Sequence, residues 1–124
     1  MPNTPTHLKY AKSDEWFDEA TGQVGISDFA QGQLSDIVFL GINVSVGAMV
    51  EAGSAIGSVE SVKATSDVLA PASGKVVAVN EALTSSPENI NSDPYGSWFI
   101  QLEGGVAADL LDAAAYDSYC AERN

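Results

Sequence analysis

The chain has 124 residues, enough for one domain with a real core and too few for two. Apolar residues make up 45% and charged residues 18%, which excludes a disordered chain and fits a globular one. Seventeen acidic residues against five basic ones give a formal charge of −12. A surface this acidic repels nucleic acid and anionic membranes, so neither is expected as a partner, and basic docking faces on other proteins are. The single cysteine, Cys120, cannot form an internal disulfide and is expected to be a packed thiol in a C-terminal helix. Met1 to His7 has neither an apolar core nor a basic leader, so no signal or transit peptide is expected. No run approaches the roughly 20 apolar residues that span a bilayer. A cytoplasmic monomer is the expected form.

In chain order, residues 1–8 read as a loose lead-in and Leu8 to Ala11 as a first short strand. Trp16-Phe17 and Gln23-Val24-Gly25-Ile26 flank the turn cluster Asp18 to Gly22 and predict a hairpin. Ser27 is a helix cap, with Asp28 in the first turn of a short helix reaching about Leu34. Asp36 to Leu40 is rich in β-formers and predicts a buried strand. Three glycine-punctuated segments follow: Val44 to Gly47, Met49 to Gly53 and Ile56 to Glu60. Strands this short and close together predict a compact barrel or sandwich. Gly74 to Asn80 echoes Gly32 to Ile37, and Trp98 to Glu103 echoes Ile56 to Glu60, which reads as weak internal symmetry. Ser86-Pro87-Glu88 predicts one helical turn, and Asn91 to Gly96 is dense in turn residues. Past Gly104-Gly105, Val106, Leu110, Leu111, Ala114, Ala115 and Tyr119 recur at helical spacing. This predicts an amphipathic helix over 106–123, with Asp109 early and Arg123 late to suit the helix dipole.

The centre of the chain is Glu60-Ser61-Val62-Lys63-Ala64-Thr65-Ser66-Asp67. Lys63 is the only basic residue between Lys12 and Lys75. An alternating run precedes it, and Val68-Leu69-Ala70-Pro71 begins a second extended run, with Gly74 allowing a tight turn. Lys63 is therefore expected at a hairpin tip, with Glu60 and Asp67 nearby. A lone lysine on a turn is ordinarily plain surface. Other chemistry is scarce: His7 is the only histidine and lies far in sequence from Cys120, which excludes a His/Cys metal site and a Cys-His or Ser-His-Asp set. Phosphate-cradling glycine motifs are missing as well. No metal and no catalysis by this chain alone are expected.

Taken together, these blocks resemble the glycine cleavage H-protein family of lipoyl carriers over nearly the whole length. The likeness runs through Lys9-Tyr10, Glu15-Trp16, Val24 to Ser27 and Asp36 to Phe39, and is strongest in Glu60 to Asp67 followed by Ala70 to Gly74. It resumes at Val79-Asn80, Ser86 to Glu88, Asn91 to Gly96, Trp98, Leu110-Leu111 and Tyr116. The resemblance implies a mainly β flattened barrel or sandwich of the lipoyl/biotinyl type, formed by residues 1–124 as a single lipoyl-carrier domain, with short helices and a C-terminal helix. It implies lipoate attached to Lys63, with Glu60, Ser61, Val62, Ala64 and Asp67 forming the hairpin that a lipoate ligase or lipoyl/octanoyl transferase recognises. The biotinyl branch places methionines beside its lysine; Val62 and Ala64 stand there instead. The resemblance further implies a carrier of the aminomethyl group from the pyridoxal-phosphate-dependent glycine decarboxylase (P protein) to the tetrahydrofolate-dependent aminomethyltransferase (T protein). Dihydrolipoyl dehydrogenase (L protein) then reoxidises it, using flavin and NAD. The loaded arm would fold back near Ser13, Glu15 and Asp67, where a carboxylate such as Glu15 can pair with the amine. Against that role, Glu15 and Asp67 read equally well as solvated turn residues.

Three departures from the family stand out. Asp14 occupies the place of the usual histidine before Glu-Trp, Gly41 to Val44 replaces a proline-containing turn, and Leu69 replaces an aromatic. A lipoyl relay serving 2-oxoacid dehydrogenases, and a binding module without cofactor, are the alternatives.

Overall fold

A computed structural model describes residues 3–107 and 109–123. Strand β1 (Lys9–Tyr10) pairs antiparallel with β2 (Glu15–Phe17), which pairs with β3 (Gln23–Ile26). The short helix α1 (Asp28–Leu34) follows, capped by the Ser27 side chain, which accepts from the Ala30 N–H. Then come β4 (Ile37–Ile42), β5 (Met49–Val50), β6 (Ala55–Ser61), β7 (Thr65–Leu69) and β8 (Ala72–Val79). Helices α2 (Glu81–Ser85) and α3 (Asn89–Ser92), strand β9 (Ile100–Ala107) and helix α4 (Ala113–Arg123) complete the described chain.

The strands form two antiparallel sheets. One is six-stranded in the order β1-β2-β3-β9-β8-β5, and the other three-stranded in the order β4-β6-β7. The result is a sandwich; among the described residues the sheets do not close into a barrel. Alternating side chains of both sheets build the main core, with Val24, Ile26, Leu40, Ile56, Val59, Val68, Val76, Ile100 and Leu102 all buried. A second cluster of Leu8, Tyr10, Trp16, Phe29, Ala113, Tyr116 and Cys120 seats α4 against the outside of β1 and β2. Within it Tyr10 and Tyr116 stack with ring centroids 4.6 Å apart.

Several expectations are corrected. The C-terminal helix begins at Ala113, not at residue 106, because Gly104-Gly105 continue a strand rather than breaking one. Beyond that strand, Leu111 exchanges both backbone hydrogen bonds with Tyr10, at 2.7 and 2.8 Å. Only then does Asp112 cap the helix, its carboxylate accepting from the Ala115 N–H at 2.8 Å. Ala108 lies outside the described residues, and Asp109 precedes the helix. The buried stripe is Ala113, Tyr116 and Cys120, while Ala114 and Ala115 face solvent.

The lead-in is tied down where it is described. Leu8 is buried, the Asn3 N–H donates to Asp28, Tyr95 donates to the Asn3 carbonyl, and Tyr10 donates to the Pro5 carbonyl. Met1 and Pro2, the rest of that segment, lie outside the described residues. Val44 to Gly47 is a loop, not a strand. Gly74 makes no turn: it lies inside β8, where an added Cβ would stand 3.0 Å from the Glu103 carbonyl at a register shift. The internal symmetry holds only for β6 and β9, since Gly32 to Leu34 is helical where Gly74 to Val76 is strand.

Candidate functional site

The β6–β7 hairpin carries the central motif. Its register sets Glu60 opposite Thr65, Val59 opposite Ser66 and Ser58 opposite Asp67, leaving Ser61 to Ala64 as the turn. Ser61 organises that turn. Its backbone N–H donates to the Ala64 carbonyl at 2.8 Å, and its hydroxyl accepts from the N–H groups of Lys63 and Ala64 at 3.3 and 3.1 Å. The Val62 N–H donates to the Asp36 carbonyl at 3.1 Å, which moors the tip to the chain entering β4. Lys63 and its neighbours from Val62 to Asp67 are exposed. The only ion pair among the described residues is Arg123–Asp14, so neither Glu60 nor Asp67 engages the Lys63 amine.

Beneath the hairpin lies a cavity of about 130 Å³. Ser13, Asp14 and Glu15 form one wall, Ala30, Gln33 and Leu34 of α1 a second, and Val59, Ser66, Asp67 and Val68 a third. Glu15 is 1% exposed, so it is not a solvated turn residue. Its Oε1 accepts from the Ser13 hydroxyl and its Oε2 from the Leu69 N–H at 3.0 Å, which ties the large sheet to the hairpin strand β7. Burial pushes its carboxyl up to about 7; the bonds from Ser13 and Leu69 lower it only in part, and the neighbouring Asp14 charge adds to the rise. A carboxyl poised near neutrality on a cavity wall is suited to meeting a cation. On arrival, a protonated amine would favour the ionised form and form a charge-assisted hydrogen bond.

The sequence expectations meet this geometry unevenly. Ser13 and Glu15 converge on the cavity. Asp67 sits at its rim: strand alternation puts it on the Ser58 face, where it also borders a shallow trough of about 220 Å³ with Gly41 and Gly57. Ser66, on the Val59 face, lines the cavity instead, and sequence reasoning passed over it. The helical wall was also missed, although Ala30, Gln33 and Leu34 follow the i, i+3, i+4 spacing of one helix face from the Ser27 cap. Lys63 stands three to four residues from Ser66 and Asp67, about 10–13 Å along an extended strand.

Comparison with known proteins identifies the family. A family model described as Glycine cleavage H-protein matches residues 8–123. A glycine cleavage system H protein of Deinococcus deserti is 56% identical over 117 residues, covering 93% of this chain and 96% of that protein. One from Burkholderia cenocepacia is 53% identical over 122 residues, covering 94% and 96%. The crystal structure of a glycine cleavage system H protein from Mycobacterium marinum superposes with a TM-score of 0.84 at 37% identity, covering 96% of this chain and 98% of that one. The family model spans both sheets, the hairpin and the final helix, and the chain belongs to the glycine cleavage H-protein family.

Proposed function

We propose that Lys63 carries a covalently attached lipoyl group and that the chain is the shuttle of glycine cleavage. In this reading it takes the aminomethyl group from glycine decarboxylase to the tetrahydrofolate-dependent aminomethyltransferase and is then reoxidised by dihydrolipoyl dehydrogenase. The carrying observation is Lys63 itself: exposed, free of any ion pair among the described residues, and held at the tip of a turn built by Ser61. An amine that must enter a modifying enzyme's active site needs that presentation, and Glu60, Ser61, Val62, Ala64 and Asp67 form the surface such a ligase or transferase would meet. Lipoate, when attached, supplies a strained disulfide able to accept a one-carbon unit and two electrons.

The chain's own residues handle binding and protection. The residues present fit the group: a solvent-facing amine, then a small cavity with a buried carboxyl within the reach of a flexible arm. Glu15 would hold a protonated amine, with Ser13 orienting the carboxylate, while Ile26, Ala30, Leu34 and Val68 limit water. Asp67 at the rim would steer a cation inward. The charge of −12 favours partner enzymes with basic docking faces and disfavours nucleic acid and anionic membranes. No helix among the described residues is long and apolar enough to cross a membrane. We place the protein in the cytoplasm, as a monomer.

The test is intact mass with peptide mapping after expression with a lipoate ligase and lipoic acid. One lipoyl group on Lys63, and none in Lys63→Arg, is expected. A folded chain that stays unmodified beside an active ligase control would overturn the proposal. The lipoylated protein should then support CO₂ exchange with glycine when mixed with glycine decarboxylase; failure there would point to the relay role.

A further inference from the structure

Asp14 stands in an unusual conformation. Its φ is 83°, in the left-handed region that side chains other than glycine seldom adopt. Its carbonyl accepts from the Ser27 N–H and its own N–H donates to the Ala11 carbonyl, both at 2.9 Å, so the backbone turn is locked from two sides. The carboxylate is held as firmly. Arg123, in the last turn of α4, reaches Oδ1 at 2.5 Å and Oδ2 at 3.3 Å, a two-pronged pairing. The guanidinium lies between two aromatic rings, 4.5 Å from the centroids of both Phe29 and Tyr119. Tyr116, two turns earlier on the same face of α4, donates to Asp14 Oδ1 at 2.8 Å. The Ser27 hydroxyl shares a 2.6 Å bond with the Tyr116 hydroxyl and accepts from the Ala30 N–H at 3.1 Å. A chain of hydrogen bonds thus runs from the first turn of α1, through the final helix, to the residue between Ser13 and Glu15.

We propose that Asp14, Tyr116 and Arg123 are positioning residues of the cavity. The clamp from α4 holds residue 14 in its left-handed turn, and this fixes Ser13 and Glu15 as the cavity wall and keeps Glu15 under the Leu69 N–H. The final helix then sets how well the cavity receives a cation. That consequence rests on the function proposed above; the clamp does not, because all its members belong to the unmodified chain. Arg123 neither lines the cavity nor touches Lys63; it reaches the cavity walls through Asp14 and, by its contact with Phe29, through α1.

The test uses the full-length, unlipoylated protein. Glu15 is titrated by carboxyl ¹³C NMR, and Leu69 amide exchange is followed by hydrogen–deuterium NMR. Charge alone and positioning predict opposite signs for Arg123→Ala. Deleting the guanidinium leaves Asp14 unneutralised and would raise the Glu15 midpoint; releasing the wall would hydrate Glu15 and lower it. The other charged group lining the cavity, Asp67, is unchanged in the variant. We expect the Arg123→Ala midpoint to fall by about one unit, a tenfold change in proton affinity. Leu69 exchange should quicken about tenfold while the β8 and β9 amides keep their protection. Asp14→Ala should likewise speed Leu69 exchange. Asp14→Asn tolerates positive φ and keeps one oxygen for Tyr116 and Arg123 but loses the second prong and the charge, so it should quicken Leu69 exchange by a smaller factor than Asp14→Ala. If Arg123→Ala does not fold, Arg123→Lys, which keeps the charge but loses the fork, should quicken Leu69 exchange by a smaller factor. An unchanged or raised Glu15 midpoint with intact Leu69 protection would overturn the clamp. Failure of Lys63 to accept lipoate would sink the carrier reading and leave these results standing.

Discussion

Glu15→Gln separates the stability of the fold from the readiness of the site. Glu15 is buried with its carboxyl raised to about 7 from an ordinary 4.5, because burial disfavours the charged form. The folded state therefore holds this proton more tightly than the unfolded chain does. Stability from the protonated carboxyl is fully present below pH 4.5, declines as pH rises, and is lost above about 7. A 2.5-unit difference (7 − 4.5) at 1.36 kcal/mol per unit gives about 3 kcal/mol across the whole window, of which about 2.5 kcal/mol falls between pH 5 and pH 8. Glutamine is near in shape, still accepts from the Leu69 N–H, and does not titrate. The stability of wild type relative to Glu15→Gln should therefore drop by about 2.5 kcal/mol from pH 5 to pH 8. Urea unfolding of both proteins measures this directly, and with slopes of about 1–3 kcal/mol/M the relative midpoints should move by roughly 0.8–2.5 M. Taking the difference between the two proteins cancels the titration of the other carboxylates. A difference that stays flat within about 0.5 kcal/mol over that range would refute the raised carboxyl and the cation-receiving role built on it.

Further substitutions probe the frame. Gly25→Ala puts a Cβ 2.6 Å from the buried Trp16 indole and should destabilise by about 1–3 kcal/mol, seen as a lowered Tm with the fold retained. Asn91 accepts from the Ile37 N–H at 2.8 Å and donates to Gln31 and to the Ser35 carbonyl at 2.9 and 2.8 Å, pinning the start of β4 to the end of α1. Asn91→Ala should therefore cost about 2–3 kcal/mol in urea unfolding. Ser61→Ala removes the hydroxyl that collects the Lys63 and Ala64 N–H groups on an exposed turn. Global stability should change by less than about 0.5 kcal/mol, while kcat/KM for lipoylation by the ligase falls several-fold. An unchanged kcat/KM would show that the turn's shape does not matter to the enzyme.

How far these elements can be read from the sequence depends on how local their causes are. Ser27 announces α1 because its hydroxyl caps the next turn, and period-two alternation announces the strand before Lys63; the strand after it starts at Thr65, ahead of the extended run that the sequence places from Val68. The position of Lys63 at the tip follows from those two strands and from Ser61. The start of α4 is not local in this sense. Leu110 and Leu111 fit a helical period, yet Leu111 is claimed by Tyr10 a hundred residues earlier, and the helix waits for Asp112. Helix α2 escaped because Asn80 makes no side-chain cap bond there and instead donates to the Trp98 carbonyl at 2.9 Å. The cavity shows the same division. Ser13 and Glu15 were legible through family likeness, whereas Ser66 needed the strand register and Gln33 and Leu34 needed the packing of α1 beneath the hairpin.

Glu15 joins these local and distant features into one device. One carboxylate oxygen takes the Ser13 hydroxyl on its own loop, and the other takes the Leu69 N–H on the strand that descends from Lys63. The hairpin and the cavity wall therefore share a bond, and a cation that drew charge onto Glu15 would strengthen it, since a carboxylate accepts more strongly than a carboxylic acid. Asp14 tightens the same joint from behind. A carboxylate next to buried Glu15 would by itself repel the charge that Glu15 would need in order to hold an amine. Arg123 and the Tyr116 hydroxyl offset part of that repulsion from the final helix. The rise in the Glu15 carboxyl is accordingly dominated by burial and only slightly by Asp14, and burial is the contribution that an arriving ammonium offsets by pairing.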